Sequence, residues 1–251
     1  MRKWMSILLL AIMLTGCGSG PTLPENPYSP EDFAYAGAYL TCLTAESRLG
    51  VDVSSHQQVI DWEAVAAAGV EFAIIRIGYR GYLQGTIQED DYARANLEGA
   101  KAAGLDVGAY FFSQAISTEE AAREAAWCVT FLEDVELDLP LVFDWEHVTD
   151  PNARTAGFSN RGLLTACAGT FLDVVRAAGY QPMVYFNGDQ SRNLYDLKAL
   201  EGYGFWFAQY ADGLNFPYAL DLWQYTESGT VPGIPGKVDI NLWLPRPAEE
   251  E

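Results

Sequence analysis

Histidine and cysteine are scarce in this 251-residue chain, at two and four copies, and 34 Asp and Glu outnumber 15 Lys and Arg. A formal net charge of −19 argues against nucleic acid as a partner and against any polyanion held by surface charge. It leaves a neutral glycan open. The only histidines, His56 and His147, do not cluster with Cys17, Cys42, Cys128 or Cys167, and the cysteine spacing matches no zinc site. No apolar run reaches the roughly 20 residues that a membrane-spanning helix needs. A glycine-rich nucleotide fingerprint is absent after the first strand pattern, which disfavours the dinucleotide-binding class. Neither an internal repeat nor a second module is visible.

The N-terminus is where apolar residues first concentrate. Arg2 and Lys3 precede Trp4 to Leu14, and Thr15-Gly16-Cys17 follows, the layout of a secretory signal. Leu14-Thr15-Gly16-Cys17 resembles the bacterial lipobox, which implies that residues 1–16 are removed and Cys17 is lipidated. Several acyl chains on one cysteine hold a protein firmly at a membrane, whereas one chain binds only marginally. The expected location is therefore extracytoplasmic, lipid-anchored to the cell membrane. Without the signal, 13 basic residues face 34 acids, a net of −21. Residues 17–32 are rich in Gly, Pro and Ser and read as a flexible tether. Residues 33–49 form a more apolar extension without an assigned role, and residues 50–245 are long enough for one full-sized domain. Outside the cytoplasm the three cysteines besides Cys17 leave at least one unpaired; Cys128 and Cys167 fall in helical patterns and read as buried thiols rather than a disulfide.

From Gly50 onward short apolar strands alternate with amphipathic helices. GVDVSS, VEFAIIRIGY, LDVGAYFFS, LPLVFDWE and QPMVYFN read as strands, with helices between them such as IDWEAVAAAG and NRGLLTACAGTFLDVVRAAGY. STEEAAREAAWCVTFLED opens on Ser117 with Glu120 three residues on, a capping-box pattern. After Asn187 the helices fade, and YGFWFAQY, ALDLWQYT and KVDINLW read as three further strands. The expected fold is α/β, an irregular (β/α) barrel of about eight strands with five flanking helices.

Such barrels build their sites at the C-terminal ends of the strands. Those ends carry Asp52, Tyr79, Tyr110 and Phe112, Asp144 and Glu146, Tyr185 and Asn187. Later strands bring Trp206, Gln209 and Tyr210, then Trp223, Gln224 and Tyr225, and finally Asp239 and Asn241. The most informative stretch is LPLVFDWEHV, Leu139 to Val148. Side chains alternate along a strand, so Asp144 and Glu146 share a face while Trp145 takes the other. Their Cβ atoms fall roughly 6.6 Å apart at a rise of about 3.3 Å per residue. Two acids that close raise each other's pKa, so one stays protonated at neutral pH. Glycosidic hydrolysis needs such a pair, one acid to protonate the leaving oxygen and one anion to face the anomeric carbon. A structural acid pair, hydrogen-bonded at a strand end, is the competing reading. Aromatic faces stack on sugar rings while Tyr and Trp edges bond hydroxyls, so the aromatic-rich rim favours a carbohydrate cleft.

VDVSSHQ, Asp61-Trp62, FAIIRIGY, GAYFFS, LVFDWE, VYFN, WFAQY, LWQYT and VDIN occur in one order across Gly50 to Trp243. On these motifs the chain resembles a glycoside hydrolase family 25 muramidase, a bacterial-type lysozyme. The resemblance implies hydrolysis of the β-1,4 bond between N-acetylmuramic acid and N-acetylglucosamine in peptidoglycan glycan strands, by a monomer without metal or cofactor. It implies Glu146 as general acid, and Asp144 as the group that stabilises sugar-side charge or orients the substrate's N-acetyl group. Asp52 and Asp239 would be flanking acids that complete the catalytic set. Tyr79, Tyr110, Tyr185, Asn187, Trp206, Gln209 and Trp223 would line the sugar subsites. Many members of the family carry His where this chain has Phe111. Two other readings stay open, a non-catalytic glycan-binding lipoprotein and a chitin-type barrel glycosidase.

Overall fold

Apolar residues on both faces of a strand require cover on both sides, and a closed barrel wrapped by helices supplies it. The computed structural model of this protein describes residues 23–245. The proposed signal, Cys17 and residues 18–22 lie outside the described residues. In chain order the elements are β1 (Phe33–Ala36), β2 (Tyr39–Cys42), β3 (Arg48–Val53), α1 (Trp62–Ala67), β4 (Phe72–Arg80), β5 (Ile87–Glu89), α2 (Ala93–Ala102) and β6 (Asp106–Ser113). There follow α3 (Thr118–Phe131), β7 (Leu141–Trp145), α4 (Arg161–Ala177), β8 (Pro182–Asn187), α5 (Gly188–Asn193), β9 (Gly204–Ala208), β10 (Leu222–Gly229) and β11 (Val238–Trp243).

Eight strands form the ring β3-β4-β6-β7-β8-β9-β10-β11, and the pairing of β11 with β3 closes it. This is the expected α/β barrel with five helices. Seven of the strands run parallel; β11 is antiparallel to both neighbours. Sequence pattern missed that reversal, the β1–β2 hairpin and the short β5 outside the ring beside β4. The fifth helix of the expected count, which no sequence pattern located, is the six-residue α5.

Helix starts follow their capping residues: Asp61, Ser117 and Asn160 each accept a first-turn N–H. At Ser117 the expected capping box is only half formed. Ser117 Oγ accepts Glu120 N–H at 3.3 Å, but the Glu120 carboxylate turns to the Ile116 N–H at 3.0 Å and to Arg154 at 2.6 Å.

Strand alternation sorts the apolar residues into two layers. Outward residues such as Leu141, Phe143 and Trp145 pack under the helices, while Phe72, Ile74, Val142, Met183, Trp206 and Leu222 fill the barrel's lower interior. Gly50 permits that filling, because a Cβ there would lie 2.1 Å from the Phe72 ring. Cys42, Cys128 and Cys167 are buried free thiols.

The lower part of the expected tether is not a tether. Leu23 is buried, the Pro24 carbonyl accepts Ala219 N–H at 2.9 Å, and Asn26 makes two hydrogen bonds to the carbonyls of Phe216 and Pro217. Leu23, Tyr28 and Phe33 give this proline-rich stretch enough apolar surface to dock. The hairpin continues the contact, with Phe33 edge-on to Trp223 at 4.9 Å and Tyr35 Oη donating to Asp212 at 3.0 Å.

Candidate active site

Period-two alternation around the ring builds one polar layer above the apolar interior. Phe112 pairs with Asp144, Asp144 with Tyr185, Tyr185 with Trp206, and Asp52 with Asp239. Together they open into a cleft of about 340 Å³ lined by five carboxylates, those of Asp52, Asp144, Glu146, Glu227 and Asp239. Arg76 is the cation among the lining residues. Asp239 reaches the rim from the start of β11, not from a strand's C-terminal end, because that strand runs backwards.

Asp52 sits at the centre of a buried network. Its Oδ2 accepts Gln224 Nε2 and Asn241 Nδ2, each at 2.8 Å, and its carboxyl shares a further hydrogen bond with Asp239. Gln224 Oε1 in turn accepts Tyr185 Oη at 3.0 Å and Tyr210 Oη at 3.2 Å, while Trp206 Nε1 donates to Asn241 Oδ1 at 2.9 Å. The aromatic edges expected to meet sugar hydroxyls are thus engaged in holding Asp52. Arg76 is fixed by Asp90 at 2.7 Å and by Ser55 Oγ at 3.0 Å. Asp144 differs, since its buried Oδ1 has no hydrogen-bond partner.

Burial is the first cause of every carboxyl shift here. It pushes Glu146 up to about 7, with Asp52 and then Glu227 adding to the rise. Asp144 is held well above the usual carboxylate range by burial, then by Glu146 and Asp52, against the pull of Arg76. Asp239 is pushed up to about 9 by burial, by the charge of Asp52 and by the shared hydrogen bond. Asp52 is raised by burial but restrained by Asn241 and Gln224. As the strand spacing predicts, the two neighbouring carboxyls act on each other, and Asp52 and Glu227 are further anions behind the rise of Glu146.

Of the eleven residues given catalytic or subsite roles from sequence, Asp52, Tyr110, Asp144, Glu146, Tyr185, Trp206 and Asp239 line the cleft, and four do not. Trp223 and Gln209 are out of phase with the inward Trp206, Ala208, Leu222 and Gln224. Trp223 is buried on the outer side and donates to the Gln209 carbonyl at 2.8 Å, and Gln209 Oε1 accepts Asn215 N–H. Tyr79 lies past a register shift between Arg76 and Gly78 and its hydroxyl meets Gln88. Asn187 caps α5, accepting the N–H groups of Asp189 and Gln190. Sequence reading missed Arg76, Glu227 and the Ser54–Gln57 turn. Arg76 had a signal, a lone charge inside the apolar run FAIIRIGY. Glu227 had none, because the register shift after Gln224 brings it to the rim. Among the described residues, no cluster of three or more His, Cys, Asp or Glu is arranged to hold a metal ion.

Comparison with known proteins gives concordant findings. The sequence profile of "Glycosyl hydrolases family 25" matches residues 51–234, a span holding Asp52, Asp144 and Glu146 but ending before β11. Lysozyme M1 of Streptomyces globisporus is 30% identical over 210 residues, covering 76% of this chain and 66% of that protein. The uncharacterized protein YegX of Escherichia coli K12 is 27% identical over 197 residues, covering 77% of this chain and 68% of that protein. Among solved structures, the modular autolysin LytC of Streptococcus pneumoniae, in complex with a synthetic peptidoglycan ligand, superposes with a TM-score of 0.69 at 25% identity. That match covers 79% of this chain, which spans about half of LytC (47%).

Proposed function

Because the chain belongs to glycosyl hydrolase family 25, we propose that it is a peptidoglycan muramidase that cleaves the β-1,4 bond between N-acetylmuramic acid and N-acetylglucosamine. The observation that carries the reading is a pair of in-phase carboxyls, Asp144 and Glu146, in one cleft, with Glu146 pushed up to about 7. A general acid works best with a pKa near the working pH, and Glu146 meets that condition at the rim, where a leaving oxygen arrives. Asp144 lies deeper with Oδ1 unpartnered, which suits acceptance of the substrate's acetamido N–H and so orientation of that group against the anomeric carbon. Asp52 and Asp239, sharing a proton below, supply a fixed negative field for the developing oxocarbenium charge. Tyr110, Tyr185 and Trp206 line the cleft wall.

The second part of the proposal concerns place. A lipid on Cys17 would tether the barrel by its floor, because Leu23 and Pro24 sit beside Gly202, Tyr203 and Phe205 at the start of β9. Residues 18–22 reach at most about 18 Å when extended at about 3.5 Å each. The cleft at the opposite end would then face away from the membrane, toward the wall.

Mass spectrometry of products from purified peptidoglycan tests the activity. Fragments ending in reducing N-acetylmuramic acid are expected. Binding without release would favour a silent glycan-binding protein, and faster turnover of chitin oligomers would favour a chitin-type glycosidase.

A further inference from the structure

Glu146 stands one residue beyond the sheet. The β7 ladder ends at Trp145 opposite Ser113 on one side and at Asp144 opposite Tyr185 on the other. A buried backbone group outside a ladder needs another partner. Two side-chain amides provide it. Gln190 Nε2 donates to the Trp145 carbonyl, and Gln114 Nε2 donates to the Glu146 carbonyl at 2.7 Å and to the Ser113 carbonyl at 3.0 Å.

Gln114 is fully buried, and its remaining oxygen accepts the hydroxyl of buried Thr155 at 2.6 Å. The amide orientation follows from the partners, since two carbonyls can only accept and must face the NH₂ group. Its own base is rigid. Ser113 Oγ donates to Glu124 at 2.7 Å and accepts the Ala115 N–H at 3.1 Å, and Glu124 pairs with buried Arg80 at 2.5 Å. The Trp145 indole donates to the Ala115 carbonyl at 3.1 Å, locking the two strand ends together. Gln114 therefore joins three things: the end of β6, the backbone of residue 146, and the loop that returns through Thr155.

We propose that Gln114 is a positioning residue for Glu146, its amide replacing the sheet pairing that residue 146 lacks and so aiming the carboxyl at the leaving oxygen. The proposal rests on the reading of Glu146 as general acid. Misplacement of a reacting group by about 1 Å lowers rate by about 10²-fold, so a loosened backbone at residue 146 has a kinetic signature.

The test measures kcat, KM, pH–rate profiles and thermal melts on peptidoglycan fragments for Gln114→Glu, Gln114→Ala, Thr155→Val and Glu146→Gln. Gln114→Glu keeps the size and the acceptor for Thr155 but turns an oxygen toward two carbonyls. Expected for both Gln114 variants is a fall in kcat of about 10- to 100-fold, with KM nearly unchanged. The alkaline limb should move to lower pH as water reaches a freer Glu146. Thr155→Val, which frees only one end of the clamp, should give a smaller change of the same kind. A folded Gln114→Ala with wild-type kcat and pH profile overturns the proposal. So does a loss of rate with the profile unmoved, which marks a merely structural role. Where both Gln114 variants fail to fold, an unchanged kcat and profile in Thr155→Val overturns it. Full activity in Glu146→Gln would remove the acid assignment itself and the proposal with it, an outcome separable from failure of the clamp alone.

Discussion

Glu146 and Asp52 show how one chemical group acquires two characters within a single cleft. Asp52 is embraced by two amides, so its negative charge is dispersed and its rise is restrained. Glu146 has burial and two anions against it and reaches about 7. Replacing Glu146 by Gln keeps shape but removes the transferable proton, so hydrolysis should fall by about 10²–10⁴-fold while glycan binding persists. Steady-state turnover beside a binding isotherm measures both. Near-wild-type turnover would move the search for the acid to Asp52 or Asp239. The alkaline limb of the wild-type profile should lie near 7. Glu227→Gln removes a negative charge facing Glu146, eases ionisation of the acid and should shift that limb to lower pH. A limb that stays in place or moves upward would deny Glu227 this influence.

At the scale of elements, the β1–β2 hairpin is the least expected part of the molecule and the most easily tested. It lays Phe33 against Trp223 on the outer face of β10, the strand that also carries Gln224 to Asp52. Phe33 is buried, and removing such a ring leaves a cavity as well as losing its transfer free energy. Phe33→Ala should destabilise the protein by about 3 kcal/mol or more, read from chemical denaturation. A loss below about 1 kcal/mol would mean that the hairpin is decoration. The same outward face explains why Trp223 does not reach sugar. Adjacent residues of a strand point opposite ways, and Gln224 holds the inward position.

For the whole molecule, clustering carboxyls in a buried cleft has a price in stability. Glu146 and Asp239 hold protons in the folded state up to about 7 and about 9, whereas unfolded carboxyls release theirs near 4. Between those limits the folded state binds more protons than the unfolded one, so stability falls as pH rises. Melting temperature should therefore be higher at pH 5 than at pH 8, and Asp239→Asn should narrow the difference. Equal melting at both values would show that the cleft does not hold its protons. Attachment is testable at this scale too. Cys17→Ser should release the protein from membranes or block its processing, and a variant that fractionates like the wild type would exclude the lipid anchor.

Period and punctuation in the chain were enough for the alternation of strands and helices, the Ser117 helix start, and the shared face of Asp144 and Glu146. These features are local, because alternation over two residues or a cap over three is written in neighbouring positions. The acids of β3 and β7 were legible for the same reason, each standing near the C-terminal end of a short apolar strand pattern. What the tertiary structure decided is non-local. Asp52 and Asp239 meet because β11 reverses and lies beside β3, 187 positions away in the chain. Trp223 and Gln209 face away from the cleft because strand phase sets orientation, and aromatic content alone does not report phase. Gln114 meets Glu146 only because β6 and β7 are neighbours in the ring, so that an amide with no motif of its own closes the gap where sheet pairing ends.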